Sequence, residues 1–183
     1  MPCTSDVNLK YYDVENKDAK IRNYYLEQYV YDAKIQASYI DLINKLSNAF
    51  TNHMIVLRPH PSENMHTYET FFKYIPRAVV TREGSLNSWL QASDVLIHNG
   101  CTTAVEGYQS GTPIVNYAPI SDERFDIVLP NLLGTTCRTA VEVLTTLESI
   151  FAKGYVPKTT EQNIAAVEEM IVNINPKIDA FEN

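Results

Sequence analysis

Between positions 19 and 50 apolar residues recur in steps of three and four, at Leu26, Val30, Ala33, Ala37, Ile40, Ile43, Leu46 and Phe50. That spacing predicts one long amphipathic helix. A helix of this span is about 45 Å long, more than one layer of a small domain needs, so part of it is expected to meet something beyond its own core. After residue 50 the period changes. Short apolar runs at 54–57, 78–81, 94–98 and 113–117 alternate with helical stretches at 63–74, 85–92 and 102–110. Alternation of this kind predicts βαβ units and a parallel sheet covered on both faces, an α/β fold of three layers. Gly111 before Pro113 reads as a helix stop and a strand start. Two further helices are predicted at 139–152 and 160–173, opened by capping boxes of Thr139 with Glu142 and Thr159 with Gln162. Pro119 and Pro130 bracket an irregular loop, 120–129. The pattern reads as one domain over 1–183, with a long helix at about 19–50, a βα core at about 54–152 and a terminal helix at about 160–173.

Composition narrows the function classes. The 183 residues are 45% hydrophobic and 20% charged, as in ordinary globular domains. A formal charge of −7 and a pI near 5.1 argue against sequence-independent binding to nucleic acid or to an anionic membrane, which want a basic face. No run approaches the roughly 20 apolar residues of a membrane span, and Met1-Pro2-Cys3-Thr4-Ser5-Asp6 lacks a signal peptide's basic and apolar regions, so a cytoplasmic location is expected. Cys3, Cys101 and Cys137 are far apart and form no Cys-x-x-Cys pair, which points to free thiols. Seven of the 12 tyrosines (Tyr11, Tyr12, Tyr24, Tyr25, Tyr29, Tyr31 and Tyr39) lie in the first forty residues. They are either amphipathic packing or an interface to a partner domain or a second copy.

The chemistry-bearing residues gather where predicted strands end. The run 54–57 leads into Arg58-Pro59-His60-Pro61-Ser62-Glu63-Asn64, where two prolines stiffen a turn that presents an arginine and a histidine. Both suit anion recognition, and histidine can change charge near neutral pH; the bland alternative is a simple turn. The run 94–98 leads into Asn99-Gly100-Cys101-Thr102-Thr103 at the start of a helix, where hydroxyls and free amides could cradle a phosphate. Thr103 and Glu106 are also spaced as a capping box, so Thr103 has two readings, while Thr102 is left for a ligand. Glu106 could accept hydrogen bonds from ribose. Ligands of open parallel sheets bind beyond the carboxyl ends of strands, where the loops 82–85 and 118–126 are also expected. His60, Glu63 and His66 fall at intervals of three, but a proline-bearing loop is a poor preformed metal face, and no metal or cofactor is expected. Neither Gly-x-Gly-x-x-Gly nor a P-loop is present.

Taken in order, Arg58-Pro59-His60-Pro61-Ser62-Glu63, Arg82-Glu83-Gly84-Ser85 with Trp89, the stretch from Ser93 through Asn99-Gly100-Cys101-Thr102-Thr103 to Glu106, Gly111-Thr112-Pro113, Arg124-Phe125-Asp126 and Leu129-Pro130-Asn131 resemble the surface carbohydrate biosynthesis protein family. That family is similar to retaining β-Kdo transferases and, more distantly, to other transferases with a His-Pro motif. The resemblance covers about residues 20–150. It implies a Rossmann-like domain, the carboxyl-terminal, donor-binding half of a GT-B glycosyltransferase, preceded by a long helix. It further implies a CMP-activated acidic sugar such as Kdo as donor substrate, with His60 as phosphate ligand and leaving-group stabiliser. Thr102 and Thr103 would assist, Glu106 would hold ribose, Pro61, Asn99, Gly100 and Cys101 would join them in binding the nucleotide and its phosphate, and Arg58 and Ser62 would add to this by shaping the pocket. The family's amino-terminal acceptor half has no counterpart in the matched motifs, which leaves the status as a complete enzyme open. Glu27 and Asp32 are the weak candidates for a catalytic carboxylate. A domain like that of CDP-glycerol glycerophosphotransferases, and a non-catalytic nucleotide-binding module, are the competing readings.

Overall fold

The computed structural model describes residues 12–61, 63–153 and 159–174. Helix α1, Ala19–Ala49, starts where the Asp18 carboxylate accepts from the Lys20 amide at 2.7 Å. Its buried stripe differs from the expected one. Ile35, Tyr39, Leu42, Ile43 and Leu46 face inward, whereas Leu26 and Val30 are 45% and 49% exposed and Ala37 is also exposed. Polar Asp32, Gln36 and Ser47 complete the inner face, and each is satisfied there: Tyr12 donates to Asp32 at 2.7 Å, Gln36 donates to Tyr68 at 3.2 Å, and Ser47 donates to the Pro76 carbonyl at 2.7 Å. Hydrogen bonding lets these positions be buried, and a purely apolar stripe misses them.

The chain then forms β1 (Ile55–Leu57), α2 (Met65–Phe72), β2 (Ala78–Val80), α3 (Leu86–Ala92), β3 (Leu96–His98), α4 (Thr103–Ser110), β4 (Ile114–Tyr117), α5 (Val128–Asn131), β5 (Thr135–Cys137), α6 (Ala140–Lys153) and α7 (Glu161–Ile174). The fold is mixed α/β with all strand pairs parallel. Two expectations are corrected. Strand β5 and the short α5 lie in the stretch read as loop or unassigned, and the strands form two sheets, β1-β2 and β3-β4-β5, instead of one. β5 was hidden because Thr-Thr-Cys carries little apolar signal; its pairing with β4 and the burial of Cys137 make it a strand.

Alternation along β4 divides the core. Val115 and Tyr117 pack with Ile35, Tyr39 and Leu42 of α1 and with Val143 and Leu147 of α6, while Ile114 faces Ala104, Leu133 and Val167 on the other side. Helices therefore cover both faces of the larger sheet. Against β1-β2, Ile43 joins Tyr68 and Phe72 of α2. The turn before β5 is fixed by Gly134, at φ +76°, where an added Cβ would lie 2.1 Å from the Ile114 carbonyl oxygen. The Thr139–Glu142 box opens α6 as expected, with Glu142 N–H donating to Thr139 Oγ1 at 3.2 Å and Thr139 N–H to Glu142 Oε2 at 3.3 Å. The α7 cap is shifted by one residue. Thr160 receives the Asn163 amide, and Thr159 instead accepts from Gly134 N–H at 2.9 Å.

Candidate functional site

Two arginines lock the loops after β1 and β2 to each other. Arg58 donates to the carbonyls of Glu83 at 2.6 Å, Arg82 at 3.2 Å and Gly84 at 3.3 Å, while Arg82 donates back to Pro59 at 3.0 Å, His60 at 2.6 Å and Glu63 at 2.7 Å. Each guanidinium thus uses its fork of donors on the other loop's backbone. Trp89 donates to the Glu83 carbonyl at 2.7 Å, with the Arg58 guanidinium 6.0 Å from its ring centroid. Arg82 was read only as part of a motif; its structural role needs a contact across 23 residues that no local pattern reveals.

A second network reaches the same loop from below. Glu63, only 8% exposed, accepts from the His60 amide at 2.6 Å and from Tyr68 OH at 2.6 Å, and Tyr68 is in turn met by Gln36 of α1. Asn64 caps α2. The loop backbone is therefore held at both ends while the His60 side chain is exposed. Its pKa is lowered, chiefly because neighbouring atoms strip water from the ring, with the charge of Arg82 adding to this and Glu63 opposing it. The tempting triad does not assemble: Glu63 turns inward and His66 faces solvent beside Glu69 at 3.8 Å. Among the described residues no group of three His, Cys, Asp or Glu stands close enough to share a metal ion.

The turn after β3 is also internally tied. Asn99 Nδ2 donates to the Tyr117 carbonyl at 3.0 Å, Gly100 N–H to Asn131 Oδ1 at 2.8 Å, and Cys101 Sγ to Thr103 Oγ1 at 3.1 Å. Thr102 occupies the N-cap of α4 with no side-chain cap bond, so of the two readings of Thr103 the Thr103–Glu106 box does not form, and Thr103 is the first helical residue. Beneath this turn a polar row crosses the sheet, His98 beside Asn116 beside Thr136. His98 is 4% exposed, neither ring nitrogen has a hydrogen-bond partner, and Asn116 Oδ1 is likewise unpartnered. Burial pushes the His98 pKa down to about 4; the Leu133 backbone opposes the shift without giving either nitrogen a well-formed hydrogen bond.

Arg58, His60, Pro61, Asn99, Cys101 and Thr103 line one cavity of about 530 Å³, with Arg82 and Trp89. Of the four strand-end loops expected to converge, those after β1 and β3 meet here, with Arg82 from the loop after β2. Gly100, Thr102 and Glu106 do not line it, and Ser62 lies outside the described residues. The loop after β4 belongs elsewhere. Arg124 bridges Asp122 and Glu27, Tyr31 and Ser121 both donate to Asp126, and these groups border a separate cleft of about 480 Å³ against α1. Asp122 is held at about pKa 2 by Arg124, and Tyr31 is raised by burial first and by Asp126 second. Tyr24 and Tyr31 pack on Phe125 with centroids 5.3 and 5.4 Å apart, which accounts for part of the tyrosine-rich segment by packing within the chain.

The chain is defined by its site as an α/β domain with a basic, hydroxyl-bearing cavity mouth at the carboxyl ends of parallel strands. Compared with protein families, curated proteins and solved structures, it finds no match. Among the described residues no helix is long and apolar enough to cross a membrane.

Proposed function

We propose that this chain binds the activated donor of a glycosyl transfer, a CMP-linked acidic sugar such as Kdo, as the carboxyl-terminal half of a GT-B enzyme for surface polysaccharide does. The observation that carries the reading is the shared cavity mouth of His60 and the first turn of α4, with Asn99, Cys101 and Thr103. A leaving phosphate develops negative charge, and donors already fixed where that charge appears lower the barrier. The paired arginine forks and the Glu63 bonds supply the fixing, so His60 can act as the donor without the loop reorganising. The phosphate part of the reading rests on this geometry, while the cytidine and the acidic sugar rest on the ordered motifs. Titration calorimetry with CMP, UMP and UDP tests it. CMP is expected to bind most tightly and without added divalent metal; equal affinity for all three would remove the cytidine assignment, and no binding at all would remove the site.

A further inference from the structure

The same cavity continues down between the two sheets, bordered by residues of both β1 and β3. β1 and β3 are parallel members of their respective sheets, yet among the described residues no ladder bond joins them. Among the described residues each has a ladder partner on one side only. Ile55 N–H bonds to the Arg77 carbonyl and the Leu57 carbonyl accepts from Thr81, so the groups of Val56 point the other way. By the same alternation Leu96 N–H bonds to the Pro113 carbonyl, and Ile97 points away from β4. Val56 and Ile97 both border the cavity.

The walls fit a strand on both faces. Leu42 and Leu46 of α1 with Leu147 of α6 form one wall, and Leu86 and Leu90 of α3 stand on the other. A volume of about 530 Å³ lies within the roughly 300–1,000 Å³ of pockets that enclose a small molecule, room for a segment as short as its three-residue neighbours. An alkyl chain would match the walls but leave the main-chain groups of Val56 and Ile97 unpaired, at a cost comparable to lost hydrogen bonds. A peptide backbone would meet both.

We infer that the slot between β1 and β3 accepts an extended peptide with a short, continuous apolar run, inserted as a strand hydrogen-bonded to both sheets. Its direction is parallel to its neighbours. That orientation carries the residues following the apolar run to the mouth, where Arg58, His60 and Arg82 favour acidic side chains.

The probe is the capped synthetic peptide Lys-Lys-Val-Ile-Val-Ile-Asp-Glu, followed by Trp89 emission and by amide hydrogen exchange of the full chain. In the free protein the amides of Val56 and Ile97 are expected to exchange much faster than that of Leu96. Saturating peptide should slow both, and N-methylation of its central Val should weaken binding about tenfold by deleting one ladder donor. Protection of Val56 and Ile97 without peptide would show the slot already closed or filled and overturn the inference. Equal binding of the N-methylated peptide, or protection by dodecyl phosphate in place of peptide, would overturn it as well. CMP calorimetry on the same sample separates this result from that of the donor site.

Discussion

At the scale of single residues, two histidines with lowered pKa serve opposite ends. His60 is exposed at the cavity mouth, and its lowered pKa leaves it mostly neutral at pH 7, so only acidification below the ordinary histidine value adds a proton where a phosphate would sit. CMP affinity is therefore expected to rise as pH falls below that value. His60→Ala should flatten the pH dependence and cost about 1.5–3 kcal/mol of binding, the usual worth of a charged hydrogen bond. Calorimetry of both forms at pH 5 and 7 checks this, and equal affinities would dismiss His60 as a ligand. His98 bears on stability instead. Its native pKa near 4 lies below the ordinary 6.5, so between those values the unfolded chain binds the proton and the native state does not. Stability is then full above pH 6.5 and falls as pH drops toward 4, by on the order of 3 kcal/mol for this group. Urea unfolding at pH 7 and 4.5 should show a smaller acid loss for His98→Leu than for the parent, because leucine keeps the packing and removes the proton site.

At the scale of elements, the loops matter through what clamps them. Arg82 serves three carbonyls of the neighbouring loop, a task that a lysine's single ammonium cannot reproduce in geometry. Arg82→Lys is expected to lower stability by about 1–2 kcal/mol and to weaken CMP binding although its charge is kept; unchanged binding would show that the clamp does not set the site. The αL turn at Gly134 is stricter. Gly134→Ala meets backbone at 2.1 Å in a conformation already strained for alanine, so a loss of more than about 3 kcal/mol is expected in thermal or urea unfolding. Such tolerances are not written in the local sequence. The helix periods, the α6 capping box and four of the five strands were legible because local spacing encodes them. β5, the inner stripe of α1 and the break between sheets were not, because each depends on distant partners: the β4 ladder, Tyr12 and Tyr68 for the polar positions, and the unpaired edges of β1 and β3.

For the whole molecule, the described carboxylates of the candidate sites are all engaged. Glu27 is paired with Arg124 at the other cleft, Asp32 is buried beneath Tyr12, and Glu63 at the cavity has both oxygens engaged. No described residue at the mouth offers a free carboxylate as nucleophile or base, a role that sugar transfer requires. The 183 residues alone are thus expected to bind donor without transferring it to an acceptor, as mass spectrometry of products would show; turnover would assign the missing chemistry to this chain. The exposed Leu26 and Val30 of α1 remain available to a partner domain or a second copy.

What the sequence by itself determined is local: helices from period and caps, most strands from short apolar runs, and the placing of His60 and of the 99–103 turn at strand ends. Those features follow from residues within a few positions of one another, where spacing alone fixes geometry. The tertiary structure decided which of the candidates meet. It set Arg58 and Arg82 to clamping loops, gathered His60 with Thr103 while leaving Thr102 and Glu106 outside the cavity, and opened the slot between the sheets, because hydrogen-bond satisfaction across long separations is settled only when the whole chain has packed.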